Sequence, residues 1–498
     1  MAIGFLNYPT TNRVPGVFAE VNPSNANTAS INQNSLLIGQ MLASGTATAG
    51  QPVLVSGANP DTLFGAGSVL ALMCRQYVKS DPFGTLYALP VADNASGVAA
   101  TATITITGTA TAQGVLSLYV AGALVPVSVA SADTATVVAT NIAAAINATA
   151  GLPVSATSAL GVVTVTALNK GITGNDIDLR LNYRGAAAGE IIPAGVTVAF
   201  GGGSASGSGY LLGSGALNPT LDTALANLPT TNFDFIGTAF TDAASLTSLD
   251  TFLNDTSGRW SWTQELFGGY FGAYRGTMSA LTTWGITNNN QHGSIMGVFD
   301  VPQPAWIWAA EVTAQSANSL RVNPAIPLQN VLMNVMAPPQ QNRFDIGERN
   351  TLLYDGISTF RANDAGQVIM ERMITTYQKN AQGQPDNSYL DVETMYQLMA
   401  YIRDARTFLT SLYSRSILVA DGTPIQFGSG MVTAQTVLAS VIARYRTLAA
   451  QGIVQSPDQF AKLAVAQNQG NGLVALYLPV MLANQLRQIA MQVAFTKP

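Results

Sequence analysis

The chain has 498 residues, 48% of them hydrophobic and only 10% Asp, Glu, Lys or Arg, with a formal net charge of −5. Hydrophobicity this high with so little charge excludes an intrinsically disordered chain, a single cysteine excludes an internal disulfide scaffold, and a negative balance without a basic run argues against a nucleic-acid binder. At about 150 residues per domain the length suits roughly three domains, and a surface so poor in charge does little to keep copies of the chain apart.

The mean hydropathy of +0.24 raises the question of a membrane span. No uninterrupted apolar run of about 20 residues is present, and the rich stretch Leu473–Leu482 is interrupted by Pro479. Met1–Pro9 lacks the basic start and long apolar core of an export signal. The expectation is a soluble chain made in the cytoplasm, with no membrane insertion. Cys74, in Ala71-Leu72-Met73-Cys74, reads as a small buried hydrophobe.

Residues 1–30 read as an arm with one strand-like piece, in which Val17, Ala19 and Val21 alternate after the Pro15-Gly16 turn signal. A polar run, Asn22–Asn34, comes next. From Ser35 the pattern is α/β, with strands at Leu36–Ile38, Pro52–Val55 and Leu86–Leu89 and a helix over Ser68–Val78. Composition changes at about Ala95. Strands are expected at Thr101–Gly108, Leu116–Val120, Val125–Val129 and Gly161–Ala167, with a turn at Gly122. One Ala-rich helix is expected over Thr134–Ala148, with Val137, Ile142 and Ile146 apolar. Residues 201–209, nearly all Gly and Ser, have the composition of a flexible linker. Only seven charged side chains fall in residues 95–205, and residues 95–209 read as an inserted, self-contained β-rich domain with its linker. The α/β pattern then returns, with strands at Phe233–Gly237 and Ser294–Phe299 and helices at Ala243–Leu253 and Trp306–Ala317. Residues 31–94 and 210–345 thus read as two parts of one discontinuous α/β domain. The last third, 346–487, reads as an α+β domain. Asp391 can cap a helix to about Ser414, with Met395, Leu398, Met399, Ile402, Leu409 and Leu412 on its apolar face. Thr433 can cap a second helix facing inward through Val437, Leu438, Val441, Tyr445 and Leu448, and Ser456-Pro457 opens a third. Residues 488–498 form a terminal strand arm, in which Ile489, Met491, Val493 and Phe495 alternate onto one side. This strand needs a sheet to join. Asn22–Asn34 and Asn468–Gly472 are candidate hinges beside the two arms.

Chemistry is hard to staff. The single histidine, His292, lies beside the polar loop Asn288–Gln291, so a Ser-His-Asp triad has one possible centre and no Gly-x-Ser-x-Gly elbow. One His and one Cys do not make a zinc site. Gly65-Ala66-Gly67-Ser68 lacks the third glycine of a dinucleotide fingerprint and reads as a tight helix entry. Asp176 and Asp178 fall on one face of an expected strand and read as a solvated edge rather than a cation site. Asp345, Glu348 and Arg349 read as a local cap and pair. The expectation is no enzyme activity, no catalytic, metal or cofactor-binding residues and no cofactor.

Several stretches together resemble the contractile tail sheath proteins of bacteriophages, in particular the Mu-like sheaths. The arm Arg13–Val21 is similar to that family's N-terminal strand, and Leu63-Phe64-Gly65-Ala66-Gly67-Ser68-Val69-Leu70-Ala71-Leu72-Met73 to its FGxGSxLAxM stretch. Phe271–Thr277 and Asn323–Leu328 resemble its central domain. The strongest likeness is Glu348–Phe360, and it continues through Glu371–Gln378, Ser388–Thr394 and Asp421–Thr423. The resemblance covers about residues 5–93 and 210–495 and omits the insert. It implies a structural subunit that polymerises as stacked hexameric rings around a tail tube. Its partners would be copies of itself, the tube, the baseplate and the tail terminator, with no direct nucleic-acid contact. It also implies assembly in the host bacterial cytoplasm, a place in the virion tail, and contraction that drives the tube through the host envelope. The arm strands through Val17, Ala19 and Val21 and through Ile489, Met491, Val493 and Phe495 would link subunits. The few charges of residues 343–415 are then expected where subunits meet each other and the tube. Two other readings stay open on the residues alone: another self-assembling shell or adhesin with the insert as its binding module, and a nucleotide-binding or hydrolytic protein using Gly65–Ser68.

Overall fold

The computed structural model describes residues 33–426 and 428–497. The arm strand expected around Val17, Ala19 and Val21 lies outside them, as does most of the candidate hinge Asn22–Asn34. The first elements are β1 (Asn34–Gln40), β2 (Val53–Leu54), α1 (Pro60–Phe64), α2 (Val69–Ser80) and β3 (Leu86–Val91). Every residue of β1 is buried, as the continuous apolar run of a strand covered on both faces requires. Its side chains alternate between the faces. Leu36 and Ile38 join one hydrophobic cluster, and Leu37 joins another with Leu70, Met73 and Tyr77 of α2. Ser68 caps α2 by accepting from the Ala71 N–H at 3.1 Å. Gly65 and Gly67, with φ of +86° and +80°, make the tight entry.

The insert contributes β4 (Ala99–Gly108), β5 (Gly114–Val120), β6 (Ala123–Val129), α3 (Ala135–Ala148), β7 (Val154–Ala159), β8 (Val162–Lys170), β9 (Asp178–Leu181), β10 (Val196–Gly201), β11 (Ser204–Ser206) and β12 (Gly209–Leu211). They build two antiparallel sheets, β10-β4-β8-β7 and β11-β12-β9-β5-β6. Three expectations change here. Residues 201–209 are not a linker: β11 and β12 form a hairpin on β9, and Gly202 and Gly207 take the positive φ that its turns require. On α3 it is Val138, not Val137, that turns inward with Ile142 and Ile146, because four-residue spacing keeps one stripe. Nor is the insert self-contained. A single cluster runs from Ile104, Val163 and Ile142 through Leu152 to Leu70, Trp306 and Ile307 of the α/β layer.

The chain returns through α4 (Asp222–Ala226), β13 (Phe233–Thr238), α5 (Ala243–Leu253), β14 (Gly269–Arg275), α6 (Met278–Gly285), β15 (Gly293–Val298) and α7 (Ala305–Val322). The resulting sheet runs β15-β14-β13-β1-β3-β2, parallel except for β2. Strands from both sides of the insert therefore lie side by side, with Leu36 opposite Ile236.

The last part holds β16 (Val331–Met333), α8 (Ile346–Tyr354), β17 (Thr359–Ala362), β18 (Val368–Arg372), α9 (Val392–Tyr413), β19 (Ile417–Leu418), β20 (Met431–Val432), α10 (Ala434–Ala450), α11 (Pro457–Leu463), β21 (Val465–Asn468) and β22 (Val474–Tyr477). All five inward residues expected on α10 are buried, and Tyr445 stacks on Phe460 of α11 at 3.7 Å. Asn468–Gly472 is no hinge but the turn of the β21–β22 hairpin, with Gln469 N–H donating to Leu473 O. Among the described residues no helix is long and apolar enough to cross a membrane.

Gly67 tests the contact between α2 and the insert. A Cβ there would strike the carbonyl of Leu152, at a φ that side chains resist. Gly67→Ala is expected to destabilise by about 1–3 kcal/mol, read as a lower denaturant midpoint with faster proteolysis around Leu152.

Candidate functional site

The functional surfaces of a chain this poor in charge are best located by following its few charges and its unpaired backbone. After Ala483 N–H, which donates to Ile453 O, the backbone makes no further hydrogen bond through its N–H groups among the described residues. Ile489, Met491, Val493 and Phe495 stand 72%, 83%, 83% and 81% exposed. The alternation expected of a terminal strand is present, but a strand exists only by pairing, and among the described residues no sheet pairs with this row.

The last anchored residue before this row is Arg487. Its guanidinium Nη2 donates to Asp391 Oδ1 at 3.0 Å and Glu393 Oε2 at 2.8 Å. Arg372 grips the same Asp391 through Nε (3.0 Å) and Nη2 (3.1 Å). Asp391 was expected to cap α9 with its side chain; it makes no such bond, because both oxygens are taken by the two arginines. Glu393 is fully buried. Burial pushes its carboxyl above the usual range, against the opposing pull of Arg487, and it accepts from the Leu328 N–H.

A similar clasp holds the other end of the described chain. Arg321, in the last turn of α7, donates to Gln33 O at 3.0 Å and Ser35 Oγ at 2.7 Å and pairs with Asp81. The Tyr77 hydroxyl donates to Asp81 at 2.6 Å. The Arg321 guanidinium also lies 5.2 Å from the centre of the Phe235 ring.

The third constellation docks the insert. Asp176 and Asp178, read as a solvated edge, are both drawn inward. Asp176 ends a short 3-10 turn (Ile172–Asp176), pairs with Arg275 and accepts the Ala305 N–H at the start of α7. Asp178 pairs with Arg180 at 2.5 Å, and Arg180 reaches Asp300 at 3.2 Å. Burial raises both carboxyls despite their arginines. Asp300 also accepts from Ser208 N (2.9 Å) and Asn342 Nδ2 (2.7 Å). A hydrogen-bonded set without an arginine lies alongside: the Asp93 carboxylate accepts from Gln40, Asn169 and the Lys170 N–H at 2.7–2.9 Å. Three of the insert's seven charged residues, Asp176, Asp178 and Arg180, thus help to hold it to the α/β layer.

The remaining sequence candidates are structural. His292 is buried against Trp260, with ring centres 4.9 Å apart, and its Nε2 lies 3.2 Å from Asp255, which holds the Asp255 carboxyl below its usual range. Asp345 and Glu348 form a reciprocal cap on α8, and Arg349 pairs with Glu371 at 2.8 Å. Charges of residues 343–415 were expected between subunits. Several instead pair within the chain: Arg349–Glu371, Arg372–Asp391, Arg403–Asp234 and Arg406–Glu265. Among the described residues no group of three His, Cys, Asp or Glu is placed to hold a metal ion. Ties such as Arg403–Asp234, Arg275–Asp176 and Arg180–Asp300 escaped sequence reading because the partners lie far apart along the chain.

A family model described as the phage tail sheath protein central domain matches residues 214–376. The Mu-like prophage FluMu tail sheath protein of Haemophilus influenzae is 36% identical over 501 residues, covering 99% of this chain and 100% of that protein. Among solved structures, a sheath tail protein from Desulfitobacterium hafniense aligns over 94% of this chain and 100% of its own at 14% identity and a TM-score of 0.46. The helical sheath of the anti-feeding prophage in its contracted state aligns over 98% and 100% at 12% identity and a TM-score of 0.45. Identity at the level of the Haemophilus protein along the whole length, with the family's central domain falling on β13 to β18, establishes that the chain belongs to the Mu-like phage tail sheath proteins.

Proposed function

We propose that this sheath subunit polymerises as stacked hexameric rings around the tail tube and contracts to drive the tube through the host envelope. Its partners are further copies of itself, the tube, the baseplate and the tail terminator, and it is assembled in the host bacterial cytoplasm. The observation that carries this reading is the exposed alternating row Ile489, Met491, Val493 and Phe495, on a backbone whose N–H groups find no backbone partner among the described residues. Such a segment suits β-augmentation of a second copy, where main-chain bonds give affinity and alternate side chains give register. The β21–β22 hairpin is a fitting acceptor. Among the described residues it is a two-stranded sheet, and so small a sheet is marginal alone and a template for further strands. Each added backbone bond nets only about 0.5–1.5 kcal/mol. Repeated through every subunit, such links make a mesh that stays connected while bodies rotate. No nucleotide is consumed; the energy lies in two competing packings set at assembly.

The full chain is expected to form hollow helical cylinders without any ligand, and a chain lacking Gln488–Pro498 to stay monomeric. Sedimentation and electron microscopy of the two proteins decide it. Normal cylinders from the truncated chain would overturn the role given to this row.

A further inference from the structure

Arg321 holds the first described residues and Arg487 the chain just before the exposed terminal row, and one short stretch of chain touches both. Arg321 closes α7 while holding Gln33 and Ser35. Seven residues on, the Leu328 N–H donates to Glu393, the acid that grips Arg487, and the side-chain amide of Gln329 reaches Arg487 O at 3.4 Å. Resting on the assembly reading above, we propose that Arg321–Gln329 is a stiff yoke coupling the exits of the two arms, with Arg321, Glu393 and Arg487 as its positioning residues.

Four observations carry this. Pro324 and Pro327 fix two of the backbone torsions between the ends. Asn323 closes a turn over the same stretch, accepting from Ala325 N on its side chain (2.9 Å) and from Ile326 N on its carbonyl (3.2 Å). Leu328 is fully buried with Met373, Val392 and Tyr396, so the far end cannot swing free. Eight residue steps span at most about 26 Å, at about 3.3 Å each, so the exits are joined by a path far shorter than any through the insert. Arg487 is also held at a cost: its Nε and Nη1 are buried without an acceptor among the described residues. A charge kept under those terms is explained by where it puts the chain rather than by net stabilisation. A pull on the C-terminal arm would therefore reach the N-terminal exit through eight residues, and the reverse.

Coupling between two sites is reciprocal in free energy, which makes the proposal testable from both ends. Hydrogen exchange would be followed on the full chain and its variants at concentrations below the onset of polymerisation. In Arg487→Ala, exchange at the Leu328 amide and also at the Ser35 amide, which is bonded to Thr85 O, is expected to rise at least about fivefold, with the amides of β14 and β15 unchanged. Arg321→Lys, which keeps the charge but loses the fork, is expected to raise exchange at Leu328 by a comparable factor. Glu393→Gln, which keeps the shape, should show the Arg487→Ala pattern in weaker form, and serves if that variant does not fold. A response confined to the mutated end, or one spread evenly over the sheet, would overturn the yoke. The arm reading fails separately: truncation at Gln488 would then leave polymerisation intact, while the exchange result would still decide the coupling.

Discussion

Arg180→Met is expected to destabilise the protein by about 3–5 kcal/mol, the cost of leaving a buried charge without its partner. Arg180 is 1% exposed and sits between Asp178 and Asp300, both fully buried. Removing the guanidinium leaves two carboxylates facing one another in a low-dielectric interior, with Asp178 Oδ1 already lacking a donor among the described residues. A methionine of similar length keeps the packing, so the loss reports charge rather than volume. Because the pair joins β9 of the insert to the chain after β15, the damage should appear first as undocking. Limited proteolysis is expected to cut around Ser208 and Asn342 before the sheet unfolds, and the denaturant curve to broaden or split. Adding Asp178→Asn should recover part of the loss. A Met variant with unchanged midpoint and protease pattern would show that the apolar cluster alone holds the insert.

Arg403→Ala is expected to cost a similar amount, about 3–5 kcal/mol, but with a single cooperative loss. Arg403, on α9, makes a two-pronged bond to Asp234 of β13 at 2.6 and 2.8 Å and donates to Leu266 O at 3.0 Å. Asp234 is fully buried within a central strand of the sheet, where Arg403 is its one ion-pair partner among the described residues. The pair is the charged tie between the α/β layer and the C-terminal helices, beside the stacked Phe235 and Tyr396 rings at 5.0 Å. Arg403→Lys should retain less than the full pair, since an ammonium cannot make both parallel bonds. Replacing both partners by apolar residues should restore much of the stability. Denaturant unfolding of the three variants, followed by tryptophan fluorescence, reads all of these.

Much of the fold was legible because its signals are local. The apolar run Leu36–Ile38 announced the strand β1, and the helix spacing of α10 together with the Thr433 cap announced which side turns inward. Other segments misled for physical reasons. Glycine and serine in residues 201–209 have the composition of a loose tether, yet the same glycines permit the tight turns and close backbone approaches of a hairpin. Asp176 carried no mark of burial because its partners stand at Arg275 and at Ala305, the start of α7; Asp178 pairs with nearby Arg180, but Asp300, which completes that group, is more than a hundred residues on.

The opening scarcity of charge consequently takes on a narrower meaning. The resemblance carried by the quoted motifs in their order pointed to a tail sheath protein, and alternation alone picked out the row from Ile489 to Phe495, because both are properties of neighbouring residues. Where the few charges work was decided by tertiary contacts between residues such as Arg403 and Asp234, or Arg180 and Asp300. A buried ion pair depends on distance in space, and a chain brings Arg403 and Asp234 to 2.6 and 2.8 Å only after its sheets and helices have packed. Several of the scarce charges expected between subunits also tie the chain to itself, as Arg403–Asp234 and Arg349–Glu371 do.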